Sequence, residues 1–271
     1  MPTQGLISEV MPSKVCLVVG AGAGIGVHTA RRFARGGYIA CLARRSDQQG
    51  LDRAVRQIED EGGEARGFLL DVSKNDTIET MVDTISREVG EIDVAVYNVG
   101  AQFGNLPLMQ TPPKVFERGW RLGCEGLFRL ARACAPQMLE RGHGTLLVTS
   151  ATAAVRGNAG QAAHAAAMGG RRMLCQSLVH ELGPQGVHVC HAVIDGAVDA
   201  PDTLGKMLGE ERFAAFKEAR GDGILQPGHV AETFFHLASQ HRSVWTNEID
   251  LRPYAENPWY NSDTRSITKG I

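Results

Sequence analysis

A glycine-rich segment near the amino terminus is the first pattern in this chain whose residue types and spacing suit ligand binding. It follows the apolar run Val15–Val19 directly and leads into a helical pattern. Glycines permit tight turns and let a phosphate approach the backbone, where its charge faces the amino end of the helix. The spacing is G-x-x-x-G-x-G rather than the strict G-x-G-x-x-G. It predicts a dinucleotide-binding loop made of Gly20, Gly22, Ala23, Gly24, Ile25 and Gly26.

At this motif the chain resembles the classical short-chain dehydrogenase/reductase family, whose first motif is TGxxxGxG. The resemblance extends over about residues 14–251, and Val19 stands where the family usually has Thr. It implies a nicotinamide dinucleotide cofactor and oxidoreductase chemistry on a carbonyl or alcohol. It also implies a homodimer or homotetramer formed through two long helices.

The end of the second apolar run bears on which cofactor is bound. In the family, an acidic residue at the position of Ala43 selects NAD(H) by binding the ribose hydroxyls. That acid is absent here, and Arg44 and Arg45 follow. A guanidinium suits the 2′-phosphate of NADP(H), so we expect NADP(H) to be favoured over NAD(H). Two solvated arginines that open the next helix are the alternative.

Two later segments match further nucleotide-binding elements of the family. Asp71 and Val72 correspond to its adenine-contacting pair. Asn98 and Gly100 match the second and fourth positions of its NNAG motif. The resemblance implies that Asn98 braces the central strands while the adjoining backbone lines the cofactor.

All four catalytic positions of the family are substituted. The family uses a Tyr acid, a Lys four residues later, a Ser at the end of the preceding strand and an Asn on the preceding helix. Alignment places His164 at the Tyr, Met168 at the Lys, Ala151 at the Ser and Gly123 at the Asn. We expect Gly123, Ala151 and Met168 to be inactive. His164 is the candidate acid, because an imidazolium donates a proton near neutral pH; a partly buried helix histidine is the alternative.

Two polar residues adjoin these positions. Arg171 follows Met168 by three residues, so it could direct a charge toward the vacant Lys position, although a solvated or interface arginine is the favoured interpretation. Ser150 adjoins Ala151, and strand alternation predicts that it faces the opposite side.

The elements that must position these residues alternate between strands and helices. This order predicts parallel βαβ units with right-handed crossovers, hence a single α/β domain: a Rossmann-type, doubly wound parallel sheet of about seven strands with helices on both faces. A lid at about 196–223 carries a helical pattern at Glu210–Ala219, between tails at 1–13 and 252–271. The predicted strands are Val15–Val19, Tyr38–Ala43, Ala65–Leu70, Ile92–Tyr97, Thr145–Thr149, Val187–Ile194 and Glu248–Leu251. The predicted helices are Ile25–Gly36, Asp47–Glu61, Lys74–Val89, Pro113–Arg141 and Gln161–Leu182.

Composition and charge exclude several classes of protein. The 28 basic and 30 acidic side chains give a net charge of −2, which argues against a sequence-independent nucleic-acid binder. No apolar run approaches the roughly 20 residues of a membrane span, and we expect a soluble, cytoplasmic protein. The six cysteines form no C-x-x-C pair, so free buried thiols are expected. His188, Cys190 and His191 alternate along one strand, and no metal site is expected.

Three functional hypotheses remain open from the sequence. The first is an NADP(H)-dependent oxidoreductase with a non-standard catalytic site and an unknown carbonyl or alcohol substrate. The second is a non-redox enzyme that reuses the pocket. The third is a catalytically silent NADP-binding protein that acts as a sensor or as a subunit partner.

Overall fold

The computed structural model describes residues 14–100, 106–258 and 260. Its strands form one parallel sheet of seven strands in the order β3-β2-β1-β4-β5-β6-β7, so the predicted doubly wound α/β fold is confirmed. The strand order reverses between β1 and β4, and in such folds ligands bind beside the carboxyl ends of the strands at this point. The strands are β1 Lys14–Val19, β2 Tyr38–Arg44, β3 Glu64–Leu69, β4 Ile92–Tyr97, β5 Gly144–Ala151, β6 Val187–Ile194 and β7 Glu248–Leu251.

Helices cover both faces of the sheet, because the inner strands are buried on both sides, whereas the edge strands β3 and β7 keep exposed residues. One buried cluster joins the sheet to α3, α5 and α6, and the other joins it to α1, α2 and α9, of which α9 was not predicted from the sequence. Among the described residues, no helix has the length and apolar character needed to cross a membrane. The helices are α1 Ile25–Arg35, α2 Gln48–Asp60, α3 Thr77–Glu88, α4 Pro113–Trp120, α5 Gly126–Arg141, α6 Ala162–Leu182, α7 Lys206–Leu208, α8 Glu210–Arg220 and α9 Pro227–Ala238.

The long helix predicted over Pro113–Arg141 is interrupted, which corrects the sequence-based expectation. A π-helical turn, Arg121–Glu125, separates α4 from α5. The Tyr97 hydroxyl donates to the Leu122 carbonyl at 2.7 Å, and Arg171 donates to the carbonyls of both Leu122 and Gly123. Side-chain donors that insert at a helical ladder are a recognised cause of such turns.

The predicted lid consists of a π-helical turn, Pro201–Gly205, followed by α7 and α8. The first residues of the predicted C-terminal tail pack on the same chain. Arg252 pairs with Asp195 at 3.1 Å, and a Cβ added at Gly196 would lie 2.8 Å from the Pro253 ring. The predicted tail at 1–13, together with residues 259 and 261–271 of the second tail, lies outside the described residues.

All six cysteines are free and buried, as predicted. Cys16 and Cys41 lie on the adjacent strands β1 and β2 without being linked. Burial raises the pKa of the Cys134 and Cys175 thiols to about 12. These thiols are therefore protonated at neutral pH and behave as small apolar core groups.

Candidate nucleotide and active site

The glycine loop is held at the carboxyl ends of β1 and β2. The amides of Gly20 and Ala21 both donate to the Ala43 carbonyl, at 2.9 and 3.0 Å. Gly20 has φ +95°, and a Cβ there would lie 2.5 Å from the Asn98 carbonyl oxygen. A Cβ at Gly26 would collide with the Gly20 carbonyl oxygen. Glycine is therefore required at these two positions, and the loop runs directly into the amino end of α1.

Asn98 ties this loop to the central strands, as the sequence indicated. Its side-chain amide donates to the Gly20 carbonyl at 2.8 Å, and its side-chain oxygen accepts a hydrogen bond from Thr149 at 3.0 Å. The ends of β1, β4 and β5 are thus joined behind the loop. At Gly22 and Gly100, by contrast, an added Cβ would meet no atom closer than 4.0 Å, so packing does not require glycine there.

The two arginines after β2 have different surroundings. The Arg44 guanidinium pairs with Asp47 at 2.9 Å and with Asp202 at 3.1 Å, and only 13% of its side chain is exposed. Arg45 is exposed. Arg44 is therefore not a solvated helix-opening arginine; it lies at the end of β2 with its charge beside the glycine loop.

Asp71 and Val72 follow β3 and have separate structural tasks. The Asp71 carboxylate accepts hydrogen bonds from the Ser73 hydroxyl at 2.6 Å and from the Ser73 amide at 3.1 Å. The Ser73 hydrogen bonds outweigh the effect of burial and hold the pKa of Asp71 below its ordinary value, with Lys74 and Arg45 contributing. Val72 is buried in the core cluster on the α3 side.

Three of the four residues predicted to stand at the family's catalytic positions come together in one apolar cluster. Met168 is buried on α6 and packs with Ala151 at the end of β5 and with Ala167. Gly123 lies in the π-helical turn opposite, and a Cβ there would be 2.7 Å from the Ala167 Cβ and 3.1 Å from the Met168 Cε. The room that the family's Asn side chain would need at position 123 is filled. His164 lies one helical turn before Met168 and is also buried, with 8% of its surface exposed.

Ser150 departs from the simple alternation predicted for the end of β5. Its hydroxyl contacts the Met168 sulfur at 3.9 Å, so it approaches the same buried side chain as Ala151 does. Thioether sulfur is only a weak acceptor. The contact orients Ser150 toward the position of the family's Lys without supplying a charge there.

Arg171 is buried, with only 1% of its surface exposed. The sequence-based interpretation of a solvated or interface arginine is therefore wrong. Its guanidinium donates to the carbonyls of Gly123 and Thr149 at 2.6 Å, of Val99 at 2.7 Å and of Leu122 at 3.3 Å. Burial lowers the pKa of Arg171, and nearby groups including the Tyr97 hydroxyl oppose that shift. A buried cation thus joins β4, β5 and the π-helical turn to α6.

Sequence reasoning missed Asp202, which contacts both the glycine loop and Arg44. Its side chain accepts a hydrogen bond from the Ala23 amide at 3.1 Å, across 179 positions of the chain. Asp202 lies inside the predicted lid at about 196–223, and no sequence motif pointed to it. His188 and His191, where no metal site was expected, contact different groups: the Thr246 carbonyl at 2.9 Å and Glu248 at 3.1 Å.

The parallel sheet, the reversal of strand order and the glycine loop define a dinucleotide-binding α/β protein. The family model for short chain dehydrogenase matches residues 14–207, and the chain belongs to that family. It is 33% identical over 245 residues to the short-chain reductase protein NovJ of Streptomyces niveus, covering 88% of this chain and 92% of NovJ. A short-chain dehydrogenase structure from Rhodopseudomonas palustris aligns with a TM-score of 0.75 and 32% identity, over 89% of this chain and 99% of that one. A variant of the actinorhodin polyketide ketoreductase solved with NADPH aligns with a TM-score of 0.79 and 25% identity, over 89% of this chain and 96% of the ketoreductase chain.

Proposed function

We propose that the protein binds NADP(H) and acts as an oxidoreductase on a carbonyl or alcohol, with a non-standard catalytic site. The observation that carries the proposal is the position of Arg44: its guanidinium and the Ala23 amide of the glycine loop both lie 3.1 Å from one carboxylate oxygen of Asp202. An arginine guanidinium beside a glycine loop is an arrangement that binds phosphates. The similarity to the ketoreductase solved with NADPH supports the same cofactor.

A fluorescence titration with NADPH and NADH tests the cofactor half of the proposal. Arg44→Ala should weaken NADPH binding roughly ten- to hundredfold, because a charge-assisted hydrogen bond contributes ~1.5–3 kcal/mol. NADH binding should change much less. Arg87→Ala is the matched control, since this exposed arginine pairs with Asp83 along α3, and it should bind NADPH nearly as the native protein does. Equal affinity for the two cofactors would contradict the NADP(H) preference.

Catalysis in this proposal depends on His164, the one side chain among the four substituted positions that can carry an exchangeable proton at neutral pH. Turnover should be slow, because His164 is shorter than the family's Tyr, and a well-positioned general acid contributes roughly 10²–10⁴ in rate. The assay follows NADPH oxidation against a panel of aldehydes and ketones. His164→Phe should abolish the activity while NADPH binding persists.

A catalytically silent NADP-binding protein is the second candidate. It is favoured by the close packing of Ala167 and Met168 against Gly123, which leaves the family's proton-relay position filled by carbon. The same assays separate the two candidates. Oxidation that disappears in His164→Phe supports the oxidoreductase, whereas NADPH binding with no His164-dependent oxidation supports the silent protein.

We further propose that the chain forms a homodimer or homotetramer through its long helices. Large apolar side chains are exposed on three helices that pack together: Phe116 and Trp120 on α4, Phe128 on α5 and Met173 on α6. Light scattering that gives the mass of a single chain would contradict this.

We place the protein in the cytoplasm, where free thiols stay reduced.

A further inference from the structure

The first turn of the lid lies directly on the glycine loop. A Cβ added at Gly24 would come within 2.8 Å of the Ala200 Cβ. Two residues further along the lid, the Asp202 carboxylate reaches the Ala23 amide at 3.1 Å and lies 4.0 Å from where a Cβ at Gly22 would be. The lid therefore places an acidic side chain against the part of the loop that packing otherwise leaves open.

The Asp202 carboxylate collects donors from three parts of the chain. One oxygen accepts hydrogen bonds from the Ala23 amide and from the Arg44 guanidinium, each at 3.1 Å. The other oxygen lies 3.5 Å from the Lys206 ammonium. Burial disfavours the charged form, but the Ala23 hydrogen bond and the two cations outweigh it and lower the pKa of Asp202. The group is therefore an anion at neutral pH.

These donors are of the kind that a dinucleotide with a 2′-phosphate uses: a backbone amide of the glycine loop and an arginine at the end of β2. We propose that Asp202 is an internal competitor for the phosphates of NADP(H), so that the cofactor must displace this carboxylate, and Asp202 sets the cofactor affinity. The inference rests on the NADP(H) binding proposed above. It assigns an affinity-determining role to a lid residue that is remote in sequence from the glycine loop.

Asp47 provides an internal comparison, because it also pairs with Arg44, at 2.9 Å. Its carboxylate caps α2 through the Gly50 amide at 2.9 Å and makes no hydrogen bond to the glycine loop among the described contacts. Neutralising Asp202 should thus strengthen the binding of both NADPH and NADH, because both carry the diphosphate. Neutralising Asp47 should strengthen the binding of NADPH alone, because only NADPH has a 2′-phosphate that pairs with Arg44.

The experiment is a fluorescence titration of the full chain with NADPH and with NADH. Asp202→Asn keeps the shape of the side chain and removes its charge, and Asp47→Asn keeps a good helix cap. Asp83→Asn controls for net charge, since Asp83 pairs with exposed Arg87 along α3. We expect Asp202→Asn to tighten both cofactors roughly tenfold or more, by the size of one charge-assisted hydrogen bond. Asp47→Asn should tighten NADPH alone, and Asp83→Asn neither.

Two results would overturn the inference in distinguishable ways. If the native protein binds NADPH and Asp202→Asn binds it equally or more weakly, Asp202 is not a competitor, while the proposed function stands. If neither the native protein nor any variant binds either nucleotide, the proposed function fails and this inference fails with it. Asp202→Ser, a second neutral variant, must give the same direction as Asp202→Asn; thermal unfolding of each variant verifies that it is folded.

Discussion

Arg171→Met tests whether the buried guanidinium holds the centre of the site together. The substitution keeps an unbranched chain of similar length and removes the cation. The side chain donates four hydrogen bonds to backbone carbonyls. Leu122 keeps a second donor, the Tyr97 hydroxyl at 2.7 Å. The carbonyls of Val99, Gly123 and Thr149 lose the arginine as a donor.

The size of the effect follows from two opposing contributions. A buried acceptor that loses its donor costs ~1–3 kcal/mol, so three such carbonyls cost roughly 3–9 kcal/mol. Against this, the variant no longer buries a charge, and that desolvation penalty is about several kcal/mol per ion. Arg171 makes no ion pair with any described carboxylate, so its removal leaves no stranded anion. Taking about 6 kcal/mol for the lost donors and about 3 kcal/mol for the relieved desolvation, we expect a net loss of about 3 kcal/mol in the free energy of unfolding.

Urea unfolding followed by circular dichroism measures this change, and the neighbouring residue supplies the control. Arg172 pairs with Glu248 at 2.7 Å on the surface, with 29% of its side chain exposed. Arg172→Met should cost at most about 1 kcal/mol, as exposed ion pairs do. If the two variants are equally stable, or if Arg171→Met lies within about 1 kcal/mol of the native protein, the guanidinium does not hold the site together. Arg171→Lys should not restore stability, because one ammonium cannot reach all these carbonyls.

Two further predictions concern other buried groups. Burial, only partly opposed by Glu248, lowers the pKa of His191 from 6.5 to about 4 in the folded protein. As the pH falls, the imidazole therefore takes up a proton in the unfolded chain before it does so in the folded one. The free energy of unfolding should drop by about 2 kcal/mol from pH 7 to pH 5 for this reason. His191→Gln should flatten that part of the stability curve in urea unfolding, and an unchanged curve would contradict the assignment. A Cβ at Gly126 would collide with the Tyr97 hydroxyl, so Gly126→Ala should cost about 1–3 kcal/mol. In a double-mutant cycle, Tyr97→Phe should relieve part of this cost, and strict additivity would refute the contact.

Local sequence patterns were sufficient for the sheet and the nucleotide loop. Every predicted strand is present, and its ends lie within two residues of the expected ones. Each βαβ unit is formed by residues close together in the chain, so an apolar run followed by a helical pattern carries the needed information. The required glycines, Gly20 and Gly26, could be identified for the same reason. The long helix was predicted wrongly at Arg121–Glu125, because Tyr97 and Arg171 make the π-helical turn and both are distant in sequence.

From the sequence alone we predict which residues stand at the four catalytic positions of the family: Gly123, Ala151, His164 and Met168. Only the tertiary structure decided what surrounds them and the cofactor loop. The packing of Gly123 against α6 and the burial of Arg171 depend on contacts between segments 44 and 48 residues apart, and the contact of the lid with Ala23 spans 179. The physical reason is that helix and strand periodicity arise from neighbours along the chain, whereas the partners of a buried charge are fixed by how whole elements pack.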